Sequence, residues 1–198
     1  MSKKIAFFDF DGTITTDDSL LKFIRFVVGD RRFLVGLLFL SPMLVLYKLK
    51  LIPNYKAKQN LLSWYFKGIK KEDFFDVANK YSLNHIDKIV RAKAMERISW
   101  HKKQGDKIVI VSASIDCWLR PWCERNNLEL IATKLDLSDD KIIGKFLTKN
   151  CYGQEKVNRI KEIYNLKEFD YIYAYGDSSG DKEMLAIANE KYYKPFRD

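Results

Sequence analysis

Histidine and cysteine are scarce in this chain. His85 and His101 are the only histidines among 198 residues, which argues against a His-rich zinc site and a histidine-based catalytic triad. Three cysteines, Cys117, Cys123 and Cys151, are too few and too odd in number for a disulfide framework, so a reducing cytoplasm is the expected setting. Cys117 and Cys123 flank Trp118, Pro121 and Trp122 with no histidine nearby, which fits core packing better than redox or zinc chemistry. No low-complexity tract or internal repeat is present. The opening "MSKKIAFFDFDG" passes from lysines straight into a short apolar run, so no signal peptide is expected. The apolar stretch "FLVGLLFLSPMLVLY" at 33–47 would span about 22 Å as a helix, against about 30 Å for a hydrocarbon core. Pro42 interrupts it, and a transmembrane span is not expected.

Positive charge is plentiful: 35 Lys and Arg against 26 Asp and Glu give a formal net charge of +9. The basic residues are spread along the chain, so a solvated basic surface is the simplest reading, and no nucleic-acid partner is expected. A length of 198 residues suffices for one domain with a sizeable core and an added lobe.

Short apolar runs ending in polar residues recur at "KIAFFDF", "DKIVIVSAS" (106–114) and "FDYIYAYGD" (169–177), and "LELIAT" (128–133) adds a fourth. Helical patterns lie between and after them, at 86–104, 115–126, 154–165 and 181–189. Alternation of this kind predicts an α/β fold, a doubly wound and mainly parallel Rossmann-like sheet covered on both faces. "LDLSDDKIIGKF" (135–146) reads as a small hairpin. Residues 15–87 break the alternation with the helical candidates "DSLLKFIRFVVG", "RRFLVGLLFLSPMLVLYKLKLI" and "KAKQNLLSWYFKG". They are read as an all-helical cap inserted into a core made of 1–14 and 88–198.

The polar residues at the strand ends carry the chemistry. "FFDFDGTITTDD" places Asp9 and Asp11 two residues apart behind a buried strand, although carboxylates are costly to bury and repel one another. Ser112 and Ser114 close the second strand, and Asp177 and Asp181 close the fourth within "GDSSGD". Ligands of open parallel sheets bind at the carboxyl ends of the strands, so the three clusters converge on one crevice. Asp9 and Asp177 offer hard oxygens suited to Mg²⁺, which would offset their repulsion.

"DFDGT", "VSAS", the lysine of "GQEKVNRI" and "GDSSGDKEML" resemble, in order and spacing, the four motifs of the haloacid dehalogenase superfamily of phosphohydrolases. The branch resembled is the phosphoserine-phosphatase-like one, whose helical cap lies between the first two motifs. The resemblance implies that Asp9 is a nucleophile forming an aspartyl-phosphate, with Asp11 as general acid and then base. Ser112 and the backbone at Ala113 would bind phosphate, and Lys156 would neutralise charge. Asp9, Asp177 and the backbone carbonyl of Asp11 would ligate Mg²⁺, with Asp181 orienting them. Asp18 stands in the cap entry where phosphoserine phosphatases carry Glu, and is taken as substrate-binding. Gly180 stands where many relatives carry Asn.

Two readings of 33–47 follow. One makes it a buried helical hairpin bent at Ser41-Pro42 inside the cap. The other lays it on a membrane surface, with Arg31, Arg32, Lys48 and Lys50 at the headgroups. The cap together with "YAYGDSSGD" is similar to phosphatidylglycerophosphatase C, a membrane-bound relative in the same branch. The expected substrate is therefore a phosphorylated small molecule, or alternatively a lipid phosphate met at a membrane surface. A basic binding module without catalysis is the reading from another class. The complete set of Asp9, Asp11, Lys156 and Asp177 speaks against it.

Overall fold

The computed structural model describes residues 3–197. Five strands form one sheet: β1 (Lys4–Phe8), β2 (Lys107–Ile115), β3 (Glu129–Thr133), β4 (Tyr171–Gly176) and β5 (Glu190–Tyr193), in the order β3-β2-β1-β4-β5. Every pairing is parallel, with Phe8 opposite Ile110 on one side and Tyr175 on the other. Alternation along β1 divides the core. Ala6 and Phe8 join the cluster under α4 (Ala92–Gln104) and α5 (Asp116–Arg125). Ile5 and Phe7 join the one under α6 (Gln154–Ile163) and α7 (Lys182–Ala186). Helices cover both faces, as parallel pairing requires, and the sequence expectation of a doubly wound α/β sheet holds.

The fifth strand was not anticipated. "EKYY" is a short edge segment with half of its residues exposed, so it has no buried apolar run to announce it. The helix expected at 181–189 is confined to Lys182–Ala186, because the chain must turn into β5.

Between β1 and α4 lie α1 (Ser19–Lys48), α2 (Asn54–Phe66) and α3 (Lys71–His85), where the cap was expected. The first two residues and the last of the expected core fall outside the described residues. Helix α1 breaks at Gly29, whose φ of 75° is left-handed and therefore suits glycine. Phe23 joins the helices to the sheet domain: its ring stacks on Trp118 at 4.6 Å and also meets Phe66, Phe74 and Tyr81. Trp118, Trp122, Cys117 and Cys123 are all buried, in keeping with the packing role read from the sequence.

Of the two readings of 33–47, the buried hairpin is not what forms. No hairpin forms, since α1 continues through Pro42 to Lys48. Leu37, Leu40 and Leu44 pack against the core, while Leu34, Leu38 and Phe39 are 62%, 72% and 67% exposed. Among the described residues no helix is long and apolar enough to cross a membrane.

The expected hairpin at 135–146 is only loosely closed, by one bridge between Leu135 and Phe146. Its backbone pairs instead with the α2–α3 turn: Gly68 N–H donates to the Ile142 carbonyl, and Ile142 N–H donates to that of Ile69, both at 2.9 Å. Gly144 sits at φ 78°, where an added Cβ would lie 2.4 Å from the Ser63 backbone nitrogen. We expect Gly144→Ala to lower stability by about 1–3 kcal/mol, from strain and the forced opening of this seam. Thermal and urea melts check this, and an unchanged midpoint would contradict the seam.

Candidate active site

The strand order reverses at β1, whose neighbours β2 and β4 lead in opposite directions along the sheet. The crevice beyond their carboxyl ends is where such a sheet binds ligands. A cleft of about 340 Å³ opens there, lined by Asp9, Asp11, Lys156 and Asp177 from the sheet domain and by Lys58 from the helical layer. Residues of all four sequence motifs thus meet there, with Ala113 representing the second.

Lys156, on the first turn of α6, is buried to 1% exposure. Its ammonium donates to Asp9 Oδ1 at 2.6 Å, Asp181 Oδ1 at 2.6 Å and the Val111 carbonyl at 2.7 Å. All three protons are engaged, which is how an ammonium is accommodated away from water. Burial alone would lower its pKa, but Asp9 and Asp181 raise it above the ordinary lysine value. Burial pushes Asp9 up to about 7 despite the neighbouring Lys156. Asp181 is held below the usual range: burial opposes this, but Lys156 and the Ser178 donors prevail.

Asp181 orients its neighbours, and both of its oxygens are engaged. Its Oδ2 accepts from the backbone N–H groups of Asp177 (3.1 Å) and Ser178 (2.9 Å) and from the Ser178 hydroxyl (2.8 Å). Gly176 keeps this turn tight, since a Cβ there would lie 2.5 Å from that of Asp181.

Asp11 faces the helical side of the cleft. Its Oδ1 accepts from Ser19 N–H at 2.7 Å and its Oδ2 from the Ser114 hydroxyl at 2.5 Å. Burial, and then the nearby charge of Asp18, raise its pKa to about 6. A carboxyl so placed exchanges a proton near neutral pH, as a general acid and base must. Asp18 lines the cleft while capping α1 through Leu21 N–H at 3.1 Å.

Ser112 is only 1% exposed, and its Oγ accepts from Ser114 N–H at 3.0 Å. It lies beneath the cleft, whereas Ala113 lines it. Beyond Ser178 and Ser179, which lie inside "GDSSGD", four lining residues escaped the sequence reading: Tyr47, Asn54, Lys58 and Tyr152. Lys58 donates to the Ala113 carbonyl at 3.1 Å, and Asn54 donates to Tyr47 Oη at 2.9 Å. No local motif marks them; a basic residue in a helix aimed at the sheet domain was the one available signal. Gly180 makes room for Tyr152, because a Cβ there would lie 2.3 Å from the ring.

Asp9, Asp177 and Asp181 each present a carboxylate oxygen, all within 4.8 Å of one another. Asp181 Oδ2 already accepts from three donors and its Oδ1 from Lys156, so Asp9 and Asp177 are the better placed of the three to hold a cation. Thr13 bridges them, donating to Asp9 Oδ2 at 3.1 Å with Asp177 Oδ1 at 3.5 Å. Gly12, at φ 80°, lets Asp177 approach, since a Cβ would sit 2.5 Å from its Oδ2. Burial, then Asp181, raises the Asp177 pKa. Crowded hard-oxygen donors of this kind fit Mg²⁺.

Residues 6–186 match the family model of haloacid dehalogenase-like hydrolases. Protein CicA of Caulobacter vibrioides is 35% identical over 192 residues, covering 96% of this chain and 85% of that one. A protein of unknown function from Bordetella pertussis Tohama I superposes with a TM-score of 0.82 at 19% identity, covering 96% of this chain and 89% of that one. A phosphoserine phosphatase solved as a phospho-aspartyl intermediate analogue gives 0.69 at 18% identity, with coverages of 96% and 86%. At these identities the two structures establish the shared fold.

The raised pKa of Asp9 has a consequence for stability. A folded-state value of about 7 against 3.8 means that between pH 4 and 7 the folded chain keeps a proton the unfolded chain releases. The contribution of this group therefore falls as pH rises through that window, by on the order of a few kcal/mol at about 1.4 kcal/mol per unit. In chelator, the melting temperature of wild type should drop more steeply from pH 5 to pH 7.5 than that of Asp9→Asn. Parallel profiles would contradict the assignment.

Proposed function

The chain belongs to the haloacid dehalogenase-like hydrolase family, and from that premise we propose a Mg²⁺-dependent phosphomonoesterase working through an aspartyl-phosphate on Asp9. The observation that carries this reading is the bracket around Asp9, with Lys156 at 2.6 Å on one oxygen and the Thr13 hydroxyl on the other. Residues 1–14 and 88–198 are the catalytic core in this reading and 15–87 the cap. The family's phosphatase chemistry and the resemblance to the phosphoserine-phosphatase-like branch set the reaction type.

Asp9 attacks phosphorus while the bond to the leaving oxygen breaks, and Asp11 gives that oxygen its proton. Asp11, now a carboxylate, takes a proton from water, whose oxygen attacks the phosphorus and restores Asp9 with release of phosphate. Lys156 holds Asp9 in place and balances charge on the transferring group, while the backbone at Ala113 binds its oxygens and Ser112, beneath it, accepts from Ser114 N–H. Asp9, Asp177 and the Asp11 carbonyl hold Mg²⁺, which when bound supplies charge stabilisation for the phosphoryl oxygens. Asp18 and Lys58 face the leaving group from the cap side.

Asp9→Asn is expected to abolish release of p-nitrophenol from p-nitrophenyl phosphate while the circular dichroism spectrum stays native. Asp11→Asn should slow turnover by roughly 10²-fold or more, the usual worth of a positioned acid–base group. Asp177→Asn should raise the Mg²⁺ concentration needed for half-maximal rate. Wild-type turnover by Asp9→Asn, or full activity in excess chelator, would overturn the mechanism.

The α1 surface favours a second reading of the substrate as a lipid phosphate. Leu34, Leu38 and Phe39 are exposed on the helix that brings Tyr47 to the cleft, and Leu49 just after it, with Arg31, Arg32, Lys48 and Lys50 alongside. Such a face suits an anionic bilayer, at about 1 kcal/mol per basic residue near the surface. Wild type should co-sediment with anionic vesicles. Polar replacement of Leu34, Leu38 and Phe39 should release it without changing the melting temperature or p-nitrophenyl phosphate turnover. Wild type left in the supernatant at low salt would remove this reading.

A further inference from the structure

The chain after β5 folds back onto the tips of β1 and β4. Lys194 N–H donates to the Gly176 carbonyl at 2.8 Å. Lys194 also takes a φ of 54°, unusual for a residue with a side chain and more so directly before Pro195. Conformations of this kind persist only where their surroundings fix them. Phe196 supplies that fixing: it is 8% exposed and stacks on Phe8 (6.4 Å, 13°) and Tyr175 (5.7 Å, 18°). Phe8 directly precedes Asp9, and Tyr175 stands two residues before Asp177. The next residue, Arg197, places its guanidinium 2.5 Å from Asp177 Oδ2.

Asp177 therefore has its two oxygens in different hands. Oδ2 is held by Arg197, while Oδ1 faces the Thr13 hydroxyl that also binds Asp9 Oδ2. The oxygen left beside Asp9 is Oδ1. Mg²⁺ demands a compact octahedron, whereas Ca²⁺ takes more ligands and accepts both oxygens of a carboxylate. We propose that Arg197 is a positioning residue that occupies Asp177 Oδ2, restricts this carboxylate to a single ligand oxygen and so biases the site towards Mg²⁺ over Ca²⁺. The proposal rests on the preceding reading of Asp177 as a metal ligand.

The charge of Arg197 also weakens binding of any divalent cation, so the informative quantity is the ratio of the two affinities. Metal-stripped wild type, Arg197→Met and Arg197→Lys are titrated with MgCl₂ and with CaCl₂ by calorimetry, with thermal melts alongside. The Arg197 side chain is exposed, and its replacement should leave the metal-free melting temperature unchanged. Arg197→Met should shift the Ca²⁺:Mg²⁺ affinity ratio towards Ca²⁺ by roughly fivefold or more. Arg197→Lys, which can still occupy Oδ2, should stay near the wild-type ratio. Equal tightening for both ions, or no change, would overturn the proposal while leaving the metal site intact. Wild type that binds neither ion would instead overturn the reading on which it rests, and this proposal with it.

Discussion

Lys156 is an ammonium taken out of water, and such a group is tolerated only when each of its protons meets an acceptor. Here the acceptors are Asp9, Asp181 and the Val111 carbonyl, contributed by three parts of the chain that are distant in sequence. Those three contacts tie the tip of β1 to β2, to α6 and to the turn after β4. Removing either carboxylate would leave one ammonium proton without its buried acceptor, which typically costs about 1–3 kcal/mol or more. The carboxyl end of the sheet is thus organised around one cation, and the position of Asp9 follows from it.

From Asp181 the same constraint passes outward. One of its oxygens faces Lys156, and the other gathers the Asp177 and Ser178 amides, which sets where Asp177 stands. Asp11 belongs to a different network, held by Ser19 and Ser114 on the helical side. Two carboxylates separated by one residue therefore sit in unlike surroundings. Asp9 faces a fixed cation, while Asp11 faces hydroxyl and amide donors with Lys58 beyond. Division of this kind is what separate nucleophilic and acid–base roles require.

The sheet was legible in the sequence because each central strand is a short apolar run closed by polar residues, a local signal that survives without tertiary information. The site was legible for the same reason, since Asp9, Asp11, Ser112, Lys156, Asp177 and Asp181 lie in short motifs at or near strand ends. What stayed hidden depends on contacts between distant segments. Nothing around Lys58 says that its ammonium meets Ala113, 55 residues on. Arg197 reaches Asp177 only because Phe196 is stacked against Phe8 and Tyr175. The hairpin expected at 33–47 does not form because α1 runs on through Pro42, packing half-buried Leu37 and Leu44 against the core and leaving Leu38 and Phe39 open. Strand β5 went unseen because an edge strand needs no buried run.

The central claim is that a phosphoryl group passes through Asp9. Rapid mixing of the Mg²⁺-loaded protein with a phosphate monoester, followed by acid quench, peptic digestion and mass spectrometry, tests it directly. The account predicts one added phosphoryl group on the peptide spanning Asp9, removable by hydroxylamine and absent from Asp9→Asn. Turnover with no labelled peptide at any quench time, or with the label on another residue, would contradict it.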